Sequence, residues 1–134
     1  MINSLISDAL PIEYAKRLKD IGVDTSDAPL EWVKDKELLS TSPHKLEIAG
    51  TTEFGRGSFD IIPTYTFSTL IEKLPRIVEH HSLIVDYYSC FIGYEKSDCG
   101  GLSWFKTEEF KKGIPNVVAV FKLLEWLYKK NYID

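Results

Sequence analysis

The stretch IPNVVAVFKLLEWLYKKNYID, residues 114–134, carries the strongest fold signal in the sequence. Pro115 suits the first turn of a helix, where its missing amide hydrogen costs nothing. On a helical wheel the apolar side chains cover an arc of roughly 220°, about twice what a surface helix needs. We therefore predict that this helix lies at the centre of the fold or packs against two surfaces at once. The predicted apolar face consists of Val117, Ala119, Val120, Phe121, Leu123, Leu124, Trp126, Leu127 and Tyr128.

Two further helices are predicted upstream. PIEYAKRLKDIG, residues 11–22, opens with Pro11 and closes with Gly22, the residue types favoured at the two ends of a helix. A second apolar stripe follows the N-cap Thr66, and Pro75 should kink or end that helix near Leu74 because it removes a backbone hydrogen bond. The stripe consists of Phe67, Leu70, Ile71, Leu74 and Val78.

Four segments are assigned to two strand pairs, and the loop that begins at Thr51 is predicted to lead into a further strand at SFDIIP (58–63). LEWVKDKELLS (30–40) and HKLEIAG (44–50) are short, whereas SLIVDYYSCFIGYEK (82–96) and GLSWFKT (101–107) are the clearest. The 82–96 segment is predicted as one strand with apolar groups on both faces, so both faces are covered or one is a contact surface. One face would hold Leu83, Val85, Tyr87 and Phe91, and the other Ile84, Tyr88, Cys90, Ile92 and Tyr94.

These elements predict a single α+β domain over residues 1–134, with the order α-ββ-α-ββ-α. Three helices accompany two antiparallel strand pairs, and the C-terminal helix covers the sheet. A chain of 134 residues, 44% of them hydrophobic, can build an ordinary core without a metal or a disulfide.

Composition and charge disfavour several classes of protein. The net charge is −4, and the lysines of residues 100–134 alternate with glutamates, so no concentrated basic face for nucleic acid is expected. No apolar run reaches the ~20 residues of a membrane span, and the N-terminus does not match a secretory signal. With two cysteines, the expected location is the reducing cytoplasm.

The cysteines and histidines form no recognisable catalytic or metal-binding motif. Cys90 is predicted to be a small core residue opposite residue 107, and Cys99 a turn residue too distant for a disulfide. His80 and His81 are predicted to end the second helix, where its dipole favours positive charge. We predict no catalytic, metal-binding or cofactor-binding residue and no cofactor.

The aromatic residues supply the candidate functional surface. Residues 82–107 and the last helix contain more aromatic rings than one thin core requires, and such rings are enriched at protein interfaces. These rings either all belong to the core or form a surface that binds a protein partner or a second copy of the chain as a homodimer. The candidate surface consists of Tyr87, Tyr88, Phe91, Tyr94, Trp104 and Trp126.

Three segments resemble small proteins of unassigned activity found in bacteriophages and prophages of gut Bacteroidetes. They are IEYAKRLKDIGVD (12–24), IPTYTFSTLIEKLP (62–75) and VFKLLEWLYKKNYI (120–133). The shared features are E-x-A-x-x-L-K-x-x-G, an apolar helix after a Pro-Thr turn, and L-L-x-W-L near the end. The resemblance implies a cytoplasmic, phage-related accessory protein and carries no catalytic residues.

The sequence thus favours a non-enzymatic protein-interaction or accessory module. The alternative is a small enzyme with a Cys/His site near residues 83–106. Such an enzyme would need a deep pocket near Tyr87, Cys90 and Trp104 that contains His80 or His81, because a cysteine nucleophile needs an adjacent base.

Overall fold

The computed structural model describes residues 8–37, 42–50, 56–98 and 101–133, and within them the α+β prediction is confirmed. These residues form three helices and seven strands in two antiparallel sheets, so the strand count exceeds the four of the two predicted pairs. The helices are α1 (Ile12–Ile21), α2 (Phe67–Leu70) and α3 (Val117–Lys129). The strands are β1 (Leu30–Asp35), β2 (Lys45–Ile48), β3 (Phe59–Thr64), β4 (Ile77–Val78), β5 (His81–Asp86), β6 (Phe91–Asp98) and β7 (Gly101–Glu109).

The two sheets lie on opposite sides of a helical layer. The first sheet has the strand order β2-β1-β3 and the second has the order β4-β5-β6-β7. Helix α1 packs on β3 and on α3, and α3 in turn packs on β6 and β7. None of the described helices has the length and apolar character needed to cross a membrane.

Helix α3 is central, as its wide apolar arc predicts. It contacts α1 and α2 on one side and the second sheet on the other. Arg17 of α1 anchors the first contact, because its Nη2 donates to Glu125 Oε1 at 2.7 Å while its guanidinium lies over the Phe121 ring. The buried α3 side chains are Val117, Val118, Ala119, Val120, Phe121, Leu123, Leu124 and Leu127.

The ends of the first two helices follow the sequence signals. Gly22 adopts a φ of +104° after α1, and its N–H reaches the last carbonyls of the helix. Helix α2 continues as a 3₁₀ turn over Ile71–Lys73, and Leu74 is extended because a residue before proline avoids the helical region. The predicted stop near Leu74 is therefore confirmed, whereas Val78 lies in β4 rather than in the helix.

Segment 82–96 is a hairpin and not the single strand predicted. Strand β5 ends at Asp86, residues 87–90 form a turn, and β6 begins at Phe91. The turn changes the alternation, so Leu83 and Val85 share the core-facing side with Ile92 and Tyr94. The predicted strand had apolar residues on both faces because it combined two separate strands, which lie on either side of this turn.

The histidine pair lies in a tight turn rather than at a helix end. Val78 pairs with His81, so Glu79 and His80 form a two-residue loop between β4 and β5. Both loop residues have positive φ, 49° and 66°, as a type I′ turn requires. The prediction that His80 and His81 cap the second helix was wrong, because Pro75 ends that helix before it reaches them.

Gly93 allows β6 and β7 to approach closely. A Cβ at this position would lie 2.4 Å from the Lys106 carbonyl oxygen and 2.8 Å from Thr107 Cγ2. The neighbouring register contains a bulge, because Tyr94 pairs with Lys106 while Glu95 pairs with Trp104. Only glycine fits this position without displacing the backbone of β7.

We expect Gly93→Ala to destabilise the fold by about 2 kcal/mol or more, because the new methyl group meets a backbone atom that cannot rotate away. Urea unfolding measures the change. Gly57→Ala is the matched control, since a Cβ there meets nothing within 4 Å, and its effect should stay within about 0.5 kcal/mol. Equal stabilities for both variants would contradict the close approach.

We expect the double variant Glu79→Asn/His80→Gly to be more stable by about 1 kcal/mol, because Asn-Gly relieves left-handed backbone strain. Thermal and urea unfolding report the difference. Asp20→Gly on the exposed face of α1 is the control and should destabilise by about 1 kcal/mol, since its backbone is helical. A double variant that loses stability would show that the loop does not hold the type I′ geometry.

Candidate interaction surface

The second sheet has one face toward the core and one face away from it. Ile92 and Tyr94 of β6 are fully buried against the helices. Because side chains alternate along a strand, Phe91, Gly93 and Glu95 lie on the opposite side. Among the described elements, α3 is the one that packs extensively on β6 and β7, and it lies on the core side.

We call this opposite side the outer face and define it by the strand register. Its middle positions carry aromatic and apolar groups, and three carboxylates surround them. No Lys or Arg of the described strands projects from this face. One row across the sheet is Asp86–Phe91–Glu109, the next is Ile84–Gly93–Thr107, and the third is Ile77–Ser82–Glu95–Trp104.

Phe91 and Trp104 form the central feature of the outer face. Their ring centroids are 4.9 Å apart and their planes are nearly perpendicular, at 88°. The two residues come from rows on either side of Gly93, whose missing side chain leaves room for the rings to meet. With Ser89, Thr107 and Glu109 they line a hollow of about 290 Å³, which we call the Phe91–Trp104 corner.

The β5–β6 turn extends this aromatic surface at one end of the sheet. Tyr88 is 98% exposed and Tyr87 is 65% exposed, although the Tyr87 ring also lies 6.1 Å from Phe67. Asp86 fixes the turn, because its Oδ1 accepts a hydrogen bond from the Ser89 amide at 2.9 Å. The tyrosines are therefore displayed from a hydrogen-bonded turn.

Two of the six predicted surface residues lie on the core side of the sheet. Tyr94 is fully buried, and its hydroxyl donates to the Pro75 carbonyl at 2.6 Å. Its assignment to a surface was wrong, because Tyr94 pairs with Leu83 on the side of the sheet that faces the core. Trp126 is half-buried, with Phe105 at 5.4 Å and Tyr132 stacked on it at 5.5 Å.

Cys90 is exposed in the turn, so its prediction as a small core residue was wrong. It has a positive φ of 59°, and its Sγ lies 3.6 Å from the Tyr87 carbonyl oxygen. Gly93, and not Cys90, lies opposite residue 107. Cys99 falls outside the described residues.

The three histidines are not beside the Cys90 thiol. His81 begins β5 while Cys90 follows its end, a separation of about 16 Å at 3.3 Å per strand residue. The His81 ring stacks on Phe105 at 5.1 Å, and His44 Nε2 contacts Asp60 Oδ2 at 2.7 Å in the first sheet. The thiol–imidazole contact that a Cys/His enzyme requires is therefore not formed among the described residues.

A second hollow lies beside the first sheet, and sequence analysis missed it. It measures about 370 Å³, and Trp32 forms part of its wall, fixed by an indole hydrogen bond to the Leu10 carbonyl at 2.9 Å. The remaining lining residues come from three distant segments, which no sequence pattern brings together. They are Ala9, Pro11, Ile12, Pro43, His44 and Pro115.

Comparison with known proteins found no match to this chain among protein-family models, curated proteins or solved structures.

We expect Tyr94→Phe to make the alkaline loss of stability shallower. Burial raises the pKa of Tyr94, so the folded state keeps its proton while an unfolded tyrosine loses it above about pH 10. The contribution of the protonated Tyr94 to the free energy of unfolding is therefore fully present below about pH 10, and it decreases as the pH rises further.

Urea unfolding between about pH 8 and pH 11.5 measures that slope. At neutral pH the variant also loses about 1 kcal/mol with the hydrogen bond to Pro75, so slopes rather than absolute stabilities are compared. Gly57→Ala is the control, because it changes no titratable group and adds a methyl group that meets nothing within 4 Å, so it should leave the slope unchanged. Parallel curves for Tyr94→Phe and the parent protein would contradict the assignment.

Proposed function

We propose that the chain is a cytoplasmic, non-enzymatic interaction module that binds another protein through the outer face of the second sheet and the adjoining β5–β6 turn. One observation carries this proposal. Trp104 is 43% exposed on the outer face, and the hollow that it lines also includes Ser89 of the β5–β6 turn, where the neighbouring Tyr88 is 98% exposed.

The exposed aromatic groups add little to the stability of the fold. A side chain such as Tyr88, nearly as accessible as in an unfolded chain, gains almost nothing from folding. Tyr and Trp are, in contrast, the residue types that most often dominate binding energy at protein interfaces. Their display on a strand and on a short hydrogen-bonded turn keeps the entropy cost of binding low.

Charge favours a different protein over a second copy of the same face. A two-fold homodimer through the outer face would bring two sets of Asp86, Glu95 and Glu109 into one interface without a basic side chain from the described strands, because such an interface is built from the same surface twice. Neither Glu95 nor Glu109 makes an ion pair within the part of the chain that the structure describes. Like charges at an interface cost binding energy, so a partner with basic groups fits better.

The face of the sheet supports the proposal better than its edge. Strand β7 ends the second sheet, and edge strands can pair with a strand of another protein. The extra residue Phe105 forms a bulge in β7, and Lys106 follows it. Bulges and lysines are the features that discourage edge pairing, which directs the proposal to the outer face.

The sequence resemblance to small phage and prophage proteins is compatible with this role, since an accessory protein acts by contacting other proteins. No separate cofactor or nucleic acid is invoked.

Selection from a displayed library of random peptides tests the proposal. We expect peptides to be enriched on the parent protein and lost on the double variant Tyr88→Ser/Trp104→Ser, because the variant removes the two most distinctive exposed rings. Ile48→Ser is the matched control. It also removes an exposed apolar side chain, 63% accessible, but on the first sheet, so enrichment should persist.

Two outcomes would overturn the proposal. Peptides that bind the double variant as well as the parent would place recognition elsewhere on the molecule. A dimer that forms with rising concentration in light scattering, and that the double variant abolishes, would identify a second copy of the chain as the partner.

A further inference from the structure

We propose that the Phe91–Trp104 corner receives an arginine side chain of the partner protein, an inference that rests on the proposed function and names the chemistry of the partner. Two aromatic residues and a glutamate line one hollow, and an aromatic ring and a carboxylate both attract a cation.

The geometry of the two rings supplies the first argument. Their perpendicular planes form two walls, and Trp104 remains 43% exposed, so part of its ring surface is open to a ligand. A cation over an indole face is attracted by the electron density of the ring, and Trp is the strongest of the aromatic side chains in this respect. The chain uses the same contact internally, where Lys106 Nζ lies 5.7 Å from the Trp126 ring centroid.

Charge supplies the second argument. Glu109 lines the hollow, while Glu95 and Asp86 lie on the same face. Asp86 already accepts a hydrogen bond from Ser89, so Glu109 is the carboxylate best placed to pair with a ligand. An anionic side chain of the partner would be repelled by the Glu109 carboxylate, and an apolar side chain would leave that carboxylate without a partner.

Arginine fits this arrangement better than lysine. Its planar guanidinium stacks flat on a ring and can donate two hydrogen bonds to one carboxylate at the same time. It is also less strongly hydrated than an ammonium group, so it loses less when it leaves water for a shallow and open hollow. The hollow of about 290 Å³ has room for such a planar group.

Nuclear magnetic resonance titration of the full chain with short peptides tests the inference. The probes are acetyl-Gly-Arg-Gly-amide, its citrulline counterpart of the same shape but no charge, and its lysine counterpart. We expect the arginine peptide to shift the indole N–H signal of Trp104 and the amides of Gly93 and Thr107. Trp32 and Trp126 are internal controls, because their indoles lie outside the corner.

The expected affinities rank the three peptides. The citrulline peptide should bind about tenfold more weakly than the arginine peptide, because it loses both the attraction to the ring and the ion pair. Raising the salt concentration should weaken the binding of the arginine peptide and leave the binding of the citrulline peptide unchanged.

Three variants locate the binding groups. Trp104→Leu should abolish binding while keeping an apolar residue, and Glu109→Gln should weaken binding about threefold without changing the size of the side chain. Glu13→Gln is the matched control, since it removes an exposed carboxylate from α1 and should have no effect. Unchanged thermal unfolding of all three variants shows that the fold is intact.

The inference is overturned if the citrulline peptide binds as tightly as the arginine peptide, if lysine binds more tightly, or if the signals of Trp104 do not move. Library peptides that need Trp104 but tolerate Glu109→Gln and contain no arginine would overturn this inference and leave the proposed function standing. The other combination is a Trp104 shift with the arginine peptide but no library peptide that depends on Tyr88 and Trp104. It would overturn the proposed function, although the corner would still bind a guanidinium group.

Discussion

The burial of α3 from both sides is the interaction on which the rest of the structure depends. One flank of the helix contacts α1 and α2, and the other contacts β6 and β7. A large apolar side chain contributes about 1.5–3 kcal/mol when it is fully buried, and α3 buries eight apolar side chains, most of them large. The other two helices bury far fewer side chains, two in α1 and one in α2.

This central helix also determines which aromatic residues remain available for binding. Tyr94 and Leu83 face α3 or its neighbours and belong to the core. Phe91 and Trp104 lie on the other side of the same sheet, where they pack on each other over Gly93. The close approach of β6 and β7 thus serves the fold and, through the space above Gly93, also shapes the proposed binding surface.

Sequence patterns predicted the helices well because their signals are local. Pro11 and Gly22 bound α1, Pro75 stops α2, and the wide arc of α3 indicates a central position. The β5–β6 turn was missed because the residues at 87–90 include no Gly, Pro or Asn. The available signal was Asp86, a residue type that often begins turns by accepting a backbone hydrogen bond.

The candidate surface was predicted only in part for the same reason. The single strand predicted over 82–96 placed Phe91 on the face of Leu83 and Val85, whereas the turn brings Ile92 and Tyr94 to that face, so the core side of β6 could not be identified from the alternation. The Phe91–Trp104 contact depends on strand register and on the bulge at Phe105, and neither can be read from composition. The hollow beside Trp32 joins distant segments and depends on the complete fold.

The pairing of Arg17 with Glu125 spans 108 positions of the chain. A nascent polypeptide that is extended at roughly 5–20 residues per second needs on the order of 5–20 s to make that much chain. Throughout this interval α1 lacks the helix against which its apolar face packs. The packing of α1 is therefore completed only after α3 has been synthesised, and the apolar surface of α1 that faces α3 stays uncovered for seconds during synthesis.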